Sequence, residues 1–521
     1  MTDEQDAAIA FLSRPETFGV VSVERVETHA SMVFLAGDRV YKLKKAVRYS
    51  YLDYSTLELR HAACDAELRI NRRFSPDLYL KAAPIVRAGD GQLRLDGQGD
   101  PVDWVVVMRR FPADDQLDLV AERGGLTPLL AWQLADRIAA VHDAAEPCPS
   151  FGGAEGLGNA IRITIDNLRL ATERELPAGD VNAWSEEALR RLEDLTPLLE
   201  RRRRDGRVRA CHGDLHLANL CLVDGKPTLF DAIEFDPAIS SIDVLYDLAF
   251  LLMDLRHRGF DQEANLIFNR YLDRRDEADG IAALPLFLSL RAAIRAQVTI
   301  AASQHRRDEH GPRDLLEKAR SYLTLALRLL ARQRPRMIAI GGFSGTGKST
   351  LAQRLAPFVG AVPGARVLRS DVLRKRAAGV APETRLPPEA YSAESHRDVY
   401  RILGNEAVRC LEGGHAVIVD AVFGRDGERA SVAKLAREAG APFEAIWLDA
   451  PLATLERRVD ARKGDPSDAT VEVVRNQVSG GEVPSDWTII DAGRDPDQVL
   501  IDAARALQLK IPSGIRRQFG L

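Results

Sequence analysis

The chain has 521 residues, which is too long for a single hydrophobic core and predicts two or three domains. Hydrophobic residues make up 45% and charged residues 28%, the composition of ordinary globular proteins, which excludes a fibrous or disordered chain. The net charge of −5 gives no general support to binding of nucleic acid or anionic membranes.

The cysteines and the apolar runs predict a cellular location. Five scattered cysteines without a Cys-x-x-Cys pair favour a reducing compartment and no disulfide framework. Residues 1–6 (MTDEQD) are acidic where a signal peptide would be basic. The longest apolar run, 245–255, is short and contains two aspartates, so it cannot span a bilayer. We therefore expect a cytoplasmic protein without a membrane partner.

The N-terminal part begins with strands and continues with helices. Alternating apolar residues over 32–36 and 39–44 flank Gly37-Asp38 and predict a β-hairpin. Further periodic runs predict a helix and two strands, at 56–74, 82–87 and 104–108. Beyond residue 111 the pattern is helical, apart from a short hairpin over 210–231. We predict a domain over 1–333, with a β-rich lobe over about 18–110 and a helical lobe over about 111–333.

An arginine run, 201–204, is a candidate nucleic-acid contact. The same run closes a predicted helix that starts near residue 183, where cations suit the C-terminal end of the helix dipole, and Gly206 ends that helix. We therefore interpret the run as a helix terminus, and we do not expect nucleic acid to be a partner.

A polar loop, Cys211-His-Gly-Asp-Leu-His-Leu-Ala-Asn-Leu220, lies between two short predicted strands. Asp214 and Asn219 have the Asp-x-x-x-x-Asn spacing of a kinase catalytic loop, and Asp231 follows one hairpin later. Phosphoryl transfer to a hydroxyl needs a carboxylate for the proton and oxygen ligands for Mg²⁺. This loop therefore predicts phosphotransferase chemistry.

Residues 20–330 resemble the aminoglycoside-phosphotransferase and choline-kinase group of protein-kinase-like folds, through the loop motif and Phe230-Asp231 and Tyr246-Asp-Leu-Ala249. The resemblance implies that Asp214 is the catalytic base and that Asn219 and Asp231 are Mg²⁺ ligands. It also implies that Asp247 braces the loop, that His212 is structural, and that Lys42 binds the ATP phosphates with Glu67 as its helix partner.

Two alternatives remain open in this region. Lys44 and Glu58 are rivals for the roles of Lys42 and Glu67, because a strand lysine or a helix glutamate is usually a solvated surface residue. A zinc site would use Cys211, His212, His216 and Cys221. Their spacing matches no standard zinc site, and the Asp214–Asn219 spacing would be left unexplained.

Residues 333–335 (QRP) break the helical pattern, and strands then alternate with helices. Four apolar runs predict strands, at 336–341, 365–369, 416–422 and 443–448. Such alternation is typical of a parallel sheet covered by helices. We predict a second domain over 334–521 with an α/β fold.

The first of these strands leads into a P-loop, Gly-x-x-x-x-Gly-Lys-Ser. Its glycines let backbone N–H groups converge on an anion, and the following helix adds the positive end of its dipole. Lys348 would reach the outer phosphates of ATP, and Ser349 would hold Mg²⁺. The predicted nucleotide-binding residues are Gly342, Phe343, Ser344, Gly345, Thr346, Gly347, Lys348, Ser349 and Thr350.

Other polar residues follow the later strands of this domain. Asp420 ends an apolar strand, as the Mg²⁺-binding aspartate of a Walker B motif does. The next residue is Ala421, where many motor ATPases carry a glutamate, so transfer to a bound acceptor is favoured over mechanical work. Arg458 and Arg462 are spaced i, i+4 and could close over the transferred phosphoryl group; alternatively they belong to an exposed basic helix.

Residues 336–510 resemble the small P-loop kinases, such as gluconate kinase, chloramphenicol phosphotransferase, zeta-toxin-type sugar-nucleotide kinases and polynucleotide 5′-kinases. The resemblance implies that Asp371 activates the acceptor, that Arg374 contacts substrate or phosphate, and that Arg458 and Arg462 form the lid. Residues 465–468 would continue that lid as a hinge. The whole chain resembles bacterial fusions of an aminoglycoside-phosphotransferase-like domain with an ATP-binding domain.

We therefore predict two ATP·Mg²⁺ phosphotransferase centres that act on hydroxyl groups of small polar molecules. Three other functions remain open: a P-loop kinase with an N-terminal sensor domain, a regulatory ATP-binding switch, and a kinase for nucleic-acid ends. The complete set Asp214, Asn219 and Asp231 speaks against a sensor, and Asp371 speaks against a switch. The negative net charge gives no support to the function of a kinase for nucleic-acid ends.

Overall fold

The structure is a computed structural model and describes residues 3–49, 52–171, 175–305, 311–462 and 466–510. It forms two compact units. The first comprises the described parts of Met1–Ala160 and Leu199–Asp254, and the second those of Ile161–Leu198 and Leu255–Leu521. These limits differ from the boundary near residue 334, which stays a prediction about the domains.

The first unit begins with two helices and eight strands. They are α1 (Asp3–Leu12), β1 (Val23–Glu27), β2 (Ser31–Ala36), β3 (Arg39–Lys44), β4 (Arg48–Tyr49), β5 (Leu52–Asp53), α2 (Leu57–Asn71), β6 (Tyr79–Arg87), β7 (Leu93–Leu95) and β8 (Asp100–Arg109). Six strands form an antiparallel sheet of order β1-β2-β3-β8-β6-β7. The predicted β2–β3 hairpin is confirmed, with Leu35 opposite Val40.

Helix α1, which the sequence patterns did not predict, packs on this sheet. Its Ala8 and Leu12 belong to the same buried cluster as Phe34, Leu43 and Val105. Burial of these apolar side chains is the main stabilising contribution that holds the helix on the sheet. The remaining elements that lie wholly or partly in this unit are α3 (Leu117–Glu122), α4 (Pro128–Ala144), α5 (Gly153–Leu170), α6 (Ala178–Arg204), β9 (Val208–Ala210), β10 (Leu220–Val223), β11 (Lys226–Leu229), α7 (Pro237–Ser240), β12 (Ser241–Asp243) and α8 (Val244–His257).

The arginine run at the end of α6 has a structural role in the first unit. Arg202 is fully buried and its Nε atom lies 2.7 Å from Asp243 Oδ2. Arg203 pairs with Glu200 one helical turn earlier, at 2.7 Å. These two side chains are therefore engaged within the protein, in agreement with the interpretation of the run as a helix terminus.

Three long helices open the C-terminal part of the second unit: α9 (Asp261–Arg274), α10 (Leu284–His305) and α11 (Gly311–Leu330). The segment Ala278–Ser303, which includes most of α10, is the one described segment long and apolar enough to cross a membrane, with a mean hydropathy of 1.4. Within its most apolar window, 67% of the residues are buried inside the protein. Such burial is typical of a core helix.

The rest of the second unit is an α/β fold, as predicted. Its elements are β13 (Met337–Gly341), α12 (Lys348–Leu355), β14 (Arg366–Arg369), α13 (Ser370–Ala377), α14 (Ala393–Glu412), β15 (Val417–Asp420), α15 (Asp426–Glu438), β16 (Phe443–Asp449), α16 (Leu452–Asp460), α17 (Val471–Gly480), β17 (Thr488–Asp491) and α18 (Pro496–Ala506). The five strands are parallel, in the order β14-β15-β13-β16-β17. The four predicted strands are confirmed, and β17 was not predicted.

Helix α9 covers the outer edge of β14, which is an edge strand of this sheet. The Asn269 side chain accepts a hydrogen bond from the backbone N–H of Val367 (2.7 Å) and donates one to the carbonyl of Ala365 (3.1 Å). Arg366, fully buried, pairs with Asp273 of the same helix at 2.7 Å. Helix α9 therefore supplies the partners that a neighbouring strand would otherwise supply.

Candidate active sites

A chain of charged side chains joins β3, α2 and the loop after β11 in the first unit. Lys42 Nζ lies 2.9 Å from Glu67 Oε1 and 2.6 Å from Asp231 Oδ1. Burial disfavours the charge on Lys42, but the carboxylates of Asp231 and Glu67 outweigh it and hold the pKa of Lys42 well above its usual range. Lys42 is therefore a fixed cation at this position.

Lys44 contacts the same glutamate from the next position on that face of β3. Its ammonium group pairs with Glu67 and with Glu234, and its side chain is only 2% exposed. Burial raises the pKa of Glu67, but Lys42 and Lys44 together bring it well below the usual range. Glu58 is exposed at the start of α2. Of the two candidate lysines, Lys42 is the one that also reaches Asp231.

The polar loop places Asp214 and Asn219 side by side. Asn219 Nδ2 donates to Asp214 Oδ2 at 2.8 Å and to the Asp214 carbonyl at 2.9 Å. His216 Nε2 lies 3.4 Å from Asp214 Oδ2, and the Asp214 side chain is 36% exposed. Asp231 has a φ of +60°, in the left-handed region, and its backbone N–H donates to the Tyr79 hydroxyl at 3.0 Å. Such backbone strain at a non-glycine residue is common at functional sites.

Asp247 braces this loop from α8. Its Oδ1 accepts the backbone N–H of Gly213 at 2.9 Å, and its Oδ2 accepts that of His212 at 3.2 Å. His142 Nε2 also lies 3.1 Å from Oδ2. The His212 ring bonds the carbonyl of Phe230 at 2.9 Å, and burial lowers its pKa. Both side chains thus hold backbone in place.

The structure gives no support to the zinc alternative. Within the described residues, the cluster with metal-ligand geometry is His142, Cys211 and Asp247, all buried. It includes neither His216 nor Cys221. Asp247 is already engaged with backbone N–H groups, so we interpret the cluster as part of the loop brace.

The P-loop between β13 and α12 requires its glycines sterically. Gly342 has a φ of +140°, and a Cβ atom there would lie 2.6 Å from the carbonyl oxygen of Leu448. Gly345 has a φ of +94°, and a Cβ atom there would lie 2.8 Å from the carbonyl oxygen of Leu455. Lys348 Nζ donates to the carbonyl of Phe343 at 3.0 Å, and burial lowers its pKa. At Gly342 and Gly345 the backbone of the loop therefore lies closer to neighbouring carbonyl oxygens than a residue with a Cβ atom could lie.

Three further predicted residues meet beside the P-loop. Ser349 Oγ donates to Asp420 Oδ2 at 2.5 Å, and Arg369 Nε lies 3.5 Å from the same oxygen. Asp371, on the first turn of α13, is hydrogen-bonded by Ser467. Burial raises the pKa of Asp371 despite the nearby charge of Arg369, which makes this carboxylate a stronger base.

These residues surround one cavity of about 520 Å³, which the P-loop residues 344–350 also line. Asp371 and Asp420 lie on its wall with Arg458 and Arg462. Arg458 Nη1 is 3.5 Å from the carbonyl oxygen of Gly345, whereas its neighbour Arg457 is exposed. The two predicted lid arginines therefore face the cavity, unlike the residues of an exposed basic helix.

The cavity has a second wall, of which the sequence analysis identified only Arg374 and the segment 465–468. It is formed by the side chains of Tyr391, His396, Tyr400, Ser467 and Asp468. No sequence motif identifies Tyr391, His396 and Tyr400, since they lie in the turn before α14 and in the first turns of that helix. Of the tetrapeptide 465–468 that was predicted as a hinge, Asp465 lies outside the described residues.

Known proteins resemble both parts of the chain. Residues 37–284 match the family model of the phosphotransferase enzyme family, and residues 337–484 match the model of an AAA domain. An uncharacterized protein of Mycobacterium tuberculosis is 29% identical over 459 residues, which is 86% of this chain and 88% of that protein. The adenylyl-sulfate kinase of Myxococcus xanthus is 32% identical over 120 residues, which is 22% of this chain and 59% of that enzyme.

Among solved structures, a choline/ethanolamine kinase family protein from Mesorhizobium loti is similar with a TM-score of 0.38 and 16% identity. The match covers 63% of this chain and 99% of that protein. The two family matches confirm the resemblances predicted from the motifs. The chain is a kinase that combines a phosphotransferase-family region with a P-loop region.

Proposed function

We propose that the protein has two separate centres, each of which transfers the γ-phosphoryl group of ATP to a hydroxyl group of a small polar molecule. The observation that carries the proposal is the cavity beside the P-loop, where Asp371 lies with Lys348, Ser349 and Asp420. A phosphate cradle alone would be sufficient for a regulatory switch. A half-buried carboxylate on the wall of the same cavity, Asp371, supplies the base that transfer to an alcohol needs.

In the first centre, Lys42 binds the inner phosphates of ATP while Glu67 holds its ammonium group in place. Asp214 orients the acceptor hydroxyl and takes its proton. Asn219 and Asp231 fit a magnesium site, because a carboxylate and an amide oxygen are hard ligands and the amide nitrogen of Asn219 is turned toward Asp214. Mg²⁺, when bound, neutralises charge on the phosphates.

In the second centre, the P-loop N–H groups and Lys348 bind the phosphates, and the adjacent Ser349 and Asp420 oxygens fit Mg²⁺. Asp371 takes the proton of the acceptor. Arg458 and Arg462 stabilise the charge of the transferred group. We propose further that the two regions divide near residue 334 and that the protein works in the cytoplasm.

The test is ATP-dependent phosphorylation of a bacterial metabolite extract, followed by mass spectrometry, with wild type, Asp214→Asn and Lys348→Ala. Two products, each lost in a different variant, are expected. Products that disappear only in Lys348→Ala would reduce the first region to a sensor. Equal loss of every product in both variants would overturn the two-centre proposal.

A further inference from the structure

The backbone that follows β11 holds Asp231, the proposed metal ligand, in a strained conformation. Its φ of +60° lies in the left-handed region, where a non-glycine residue persists only if its surroundings determine its conformation. The N–H group of Asp231 donates to the Tyr79 hydroxyl at 3.0 Å. Two positions later, the N–H group of Ile233 donates to the carbonyl of His212 at 3.0 Å. The residue between them, Ala232, therefore lies in a segment that is held on both sides.

The side-chain amide of Asn71, the last residue of α2, pairs with both backbone groups of Ala232. Asn71 Oδ1 accepts the Ala232 N–H at 2.8 Å, and Asn71 Nδ2 donates to the Ala232 carbonyl at 3.3 Å. The same Nδ2 group donates to the carbonyl of Glu67 at 3.1 Å, one turn earlier in the helix. Asn71 is 0% exposed and Ala232 is 1% exposed, so these bonds are shielded from solvent.

The burial of Asn71 calls for a polar partner. A fully buried helix position is ordinarily occupied by an apolar side chain, and an asparagine is favourable there only if its polar atoms are bonded. Here both ends of the amide are bonded, and both reach Ala232. The asparagine therefore ties the residue that follows Asp231 to helix α2.

Asn71 and Glu67 lie four positions apart on α2 and thus on the same face of the helix. Glu67 pairs with Lys42 at 2.9 Å, and Lys42 pairs with Asp231 at 2.6 Å. One residue of the helix therefore holds the lysine that is proposed to bind ATP. The other residue holds the backbone beside the proposed metal ligand.

We propose that Asn71 is a positioning residue of the first centre. By holding the backbone of Ala232, it fixes the position from which the Asp231 carboxylate binds Mg²⁺, and it thereby controls the metal-dependent part of the ATP affinity. The inference rests on the proposed function, which makes Asp231 a metal ligand. Substitution of residues that orient metal ligands typically lowers metal affinity by about 10–100-fold.

The test is calorimetric titration with the ATP analogue AMP-PNP, in EDTA and in excess Mg²⁺, on the full-length protein carrying Lys348→Ala. This parent protein lacks the P-loop lysine, and a stoichiometry of one nucleotide per chain shows that a single centre is measured. The magnesium gain is the ratio of the Kd in EDTA to the Kd in Mg²⁺. Asn71→Leu should lower the magnesium gain by about tenfold and leave the Kd in EDTA unchanged, because the metal ligand is displaced.

Two further substitutions keep the test decisive. Asn71→Ala removes the amide without adding bulk, and it should show the same loss of magnesium gain if the leucine variant does not fold. Asn71→Asp keeps an oxygen for the Ala232 N–H but loses the donor to the Ala232 carbonyl. Its magnesium gain should therefore lie between those of the parent protein and Asn71→Leu.

Gln5→Leu is the matched control, because Gln5 is also a fully buried amide that pairs with backbone of the first unit. It accepts the N–H of Ala46 at 2.7 Å and donates to the carbonyl of Lys44 at 3.0 Å. Urea unfolding should show a loss of stability in both Gln5→Leu and Asn71→Leu, whereas the magnesium gain should fall only in the Asn71 variant. An equal fall in both variants would mean that Asn71 has a structural role alone, and it would overturn the proposal.

Asp231→Asn separates failure of this inference from failure of the proposed function. If this substitution removes the magnesium gain while Asn71→Leu and Asn71→Ala keep it, Asn71 does not position the ligand and the proposed function stands. If Asp231→Asn leaves the magnesium gain unchanged, Asp231 is not a metal ligand. The proposed metal site of the first centre then fails together with the inference.

Discussion

The hydroxyl group of Ser349 donates a 2.5 Å hydrogen bond to Asp420 Oδ2, which joins the first turn of α12 to the end of β15. Both oxygens are hard ligands of the kind that Mg²⁺ prefers. The two residues are 71 positions apart in the chain, and the parallel pairing of β13 with β15 brings them together.

Ser349→Ala and Asp420→Asn should each weaken binding of AMP-PNP in the presence of Mg²⁺ by at least about tenfold, because a metal ligand is lost. Calorimetric titration with and without EDTA measures the effect. Without the metal the variants and wild type should bind alike. Ser431→Ala, at an exposed position of α15, is the control. Unchanged Mg²⁺-dependent affinity in both variants would contradict the assignment.

Glu67 lies between two lysines, and its removal should destabilise the first unit. Glu67→Gln leaves Lys44 buried with one carboxylate partner fewer, and a broken buried pair costs about 3–5 kcal/mol. Urea unfolding measures the loss. Glu58→Gln, on the exposed face of the same helix, should change stability little. Equal effects of the two substitutions would show that Glu67 is not the paired residue.

Asp214→Asn should reduce turnover at the first centre by about 10²–10⁴, because the acceptor hydroxyl loses its base. The affinity for AMP-PNP and the product that depends on Lys348 should remain. The measurement is the amount of each product formed from the metabolite extract. Asp224→Asn, at an exposed turn, serves as the control. Undiminished turnover in Asp214→Asn would rule out this residue as the base.

His415 makes the stability of the second unit depend on pH. Burial lowers its pKa from 6.5 to about 4, and its Nε2 bonds the carbonyl of Gly364 at 2.7 Å. Below pH 6.5 the His415 imidazole is therefore protonated in the unfolded state, whereas in the folded state it stays neutral down to about pH 4. The contribution of the neutral His415 to the free energy of unfolding is therefore complete above pH 6.5 and is lost as the pH falls toward 4.

The expected slope from this one group is about 1.4 kcal/mol per pH unit inside that window. Urea unfolding at several pH values, followed by tryptophan fluorescence, measures it in wild type and in His415→Gln, whose amide can still donate to the carbonyl. The variant should have a flatter pH dependence. The same slope in both proteins would assign the acid sensitivity to other groups.

Asn269→Leu should destabilise the second unit by roughly 2–6 kcal/mol, because the Val367 N–H and the Ala365 carbonyl each lose a buried partner. Asn476→Leu, at an exposed position of α17, is the matched substitution. Thermal unfolding of both variants measures the difference. A loss no larger than that of the control would mean that the edge of β14 finds other partners.

Local patterns were sufficient to predict the P-loop and its flanking elements. The strand before it is a short apolar run, and the glycine spacing is dictated by the backbone path of an anion cradle. Strand β17 was missed because it is a short edge strand whose only apolar residues are Ile489 and Ile490, too short a run to predict a strand. Helix α1 was missed because a contact that holds it in place is not local in the sequence. Its Gln5 side chain donates a hydrogen bond to Asp103, which lies 98 positions away.

The choice between Lys42 and Lys44 could not be made from the sequence, for a geometric reason. Alternate residues of a strand point to the same face, so both lysines reach Glu67. The two lysines differ in their contact with Asp231, a residue of the loop after β11 that pairs with Lys42. The wall around Arg374 was unpredictable for the same reason, since Asp468 gathers partners from three segments.

The hydrogen bonds between α9 and β14 affect the order in which these two elements can form during synthesis of the chain. Asn269 precedes Val367 by 98 residues, so the helix leaves the ribosome before the strand whose backbone it bonds. The sheet can thus form with its outer strand already protected from pairing with another chain. A gene fragment that starts at residue 334 would lack this protection, and its product would present β14 as an open edge to every neighbouring copy.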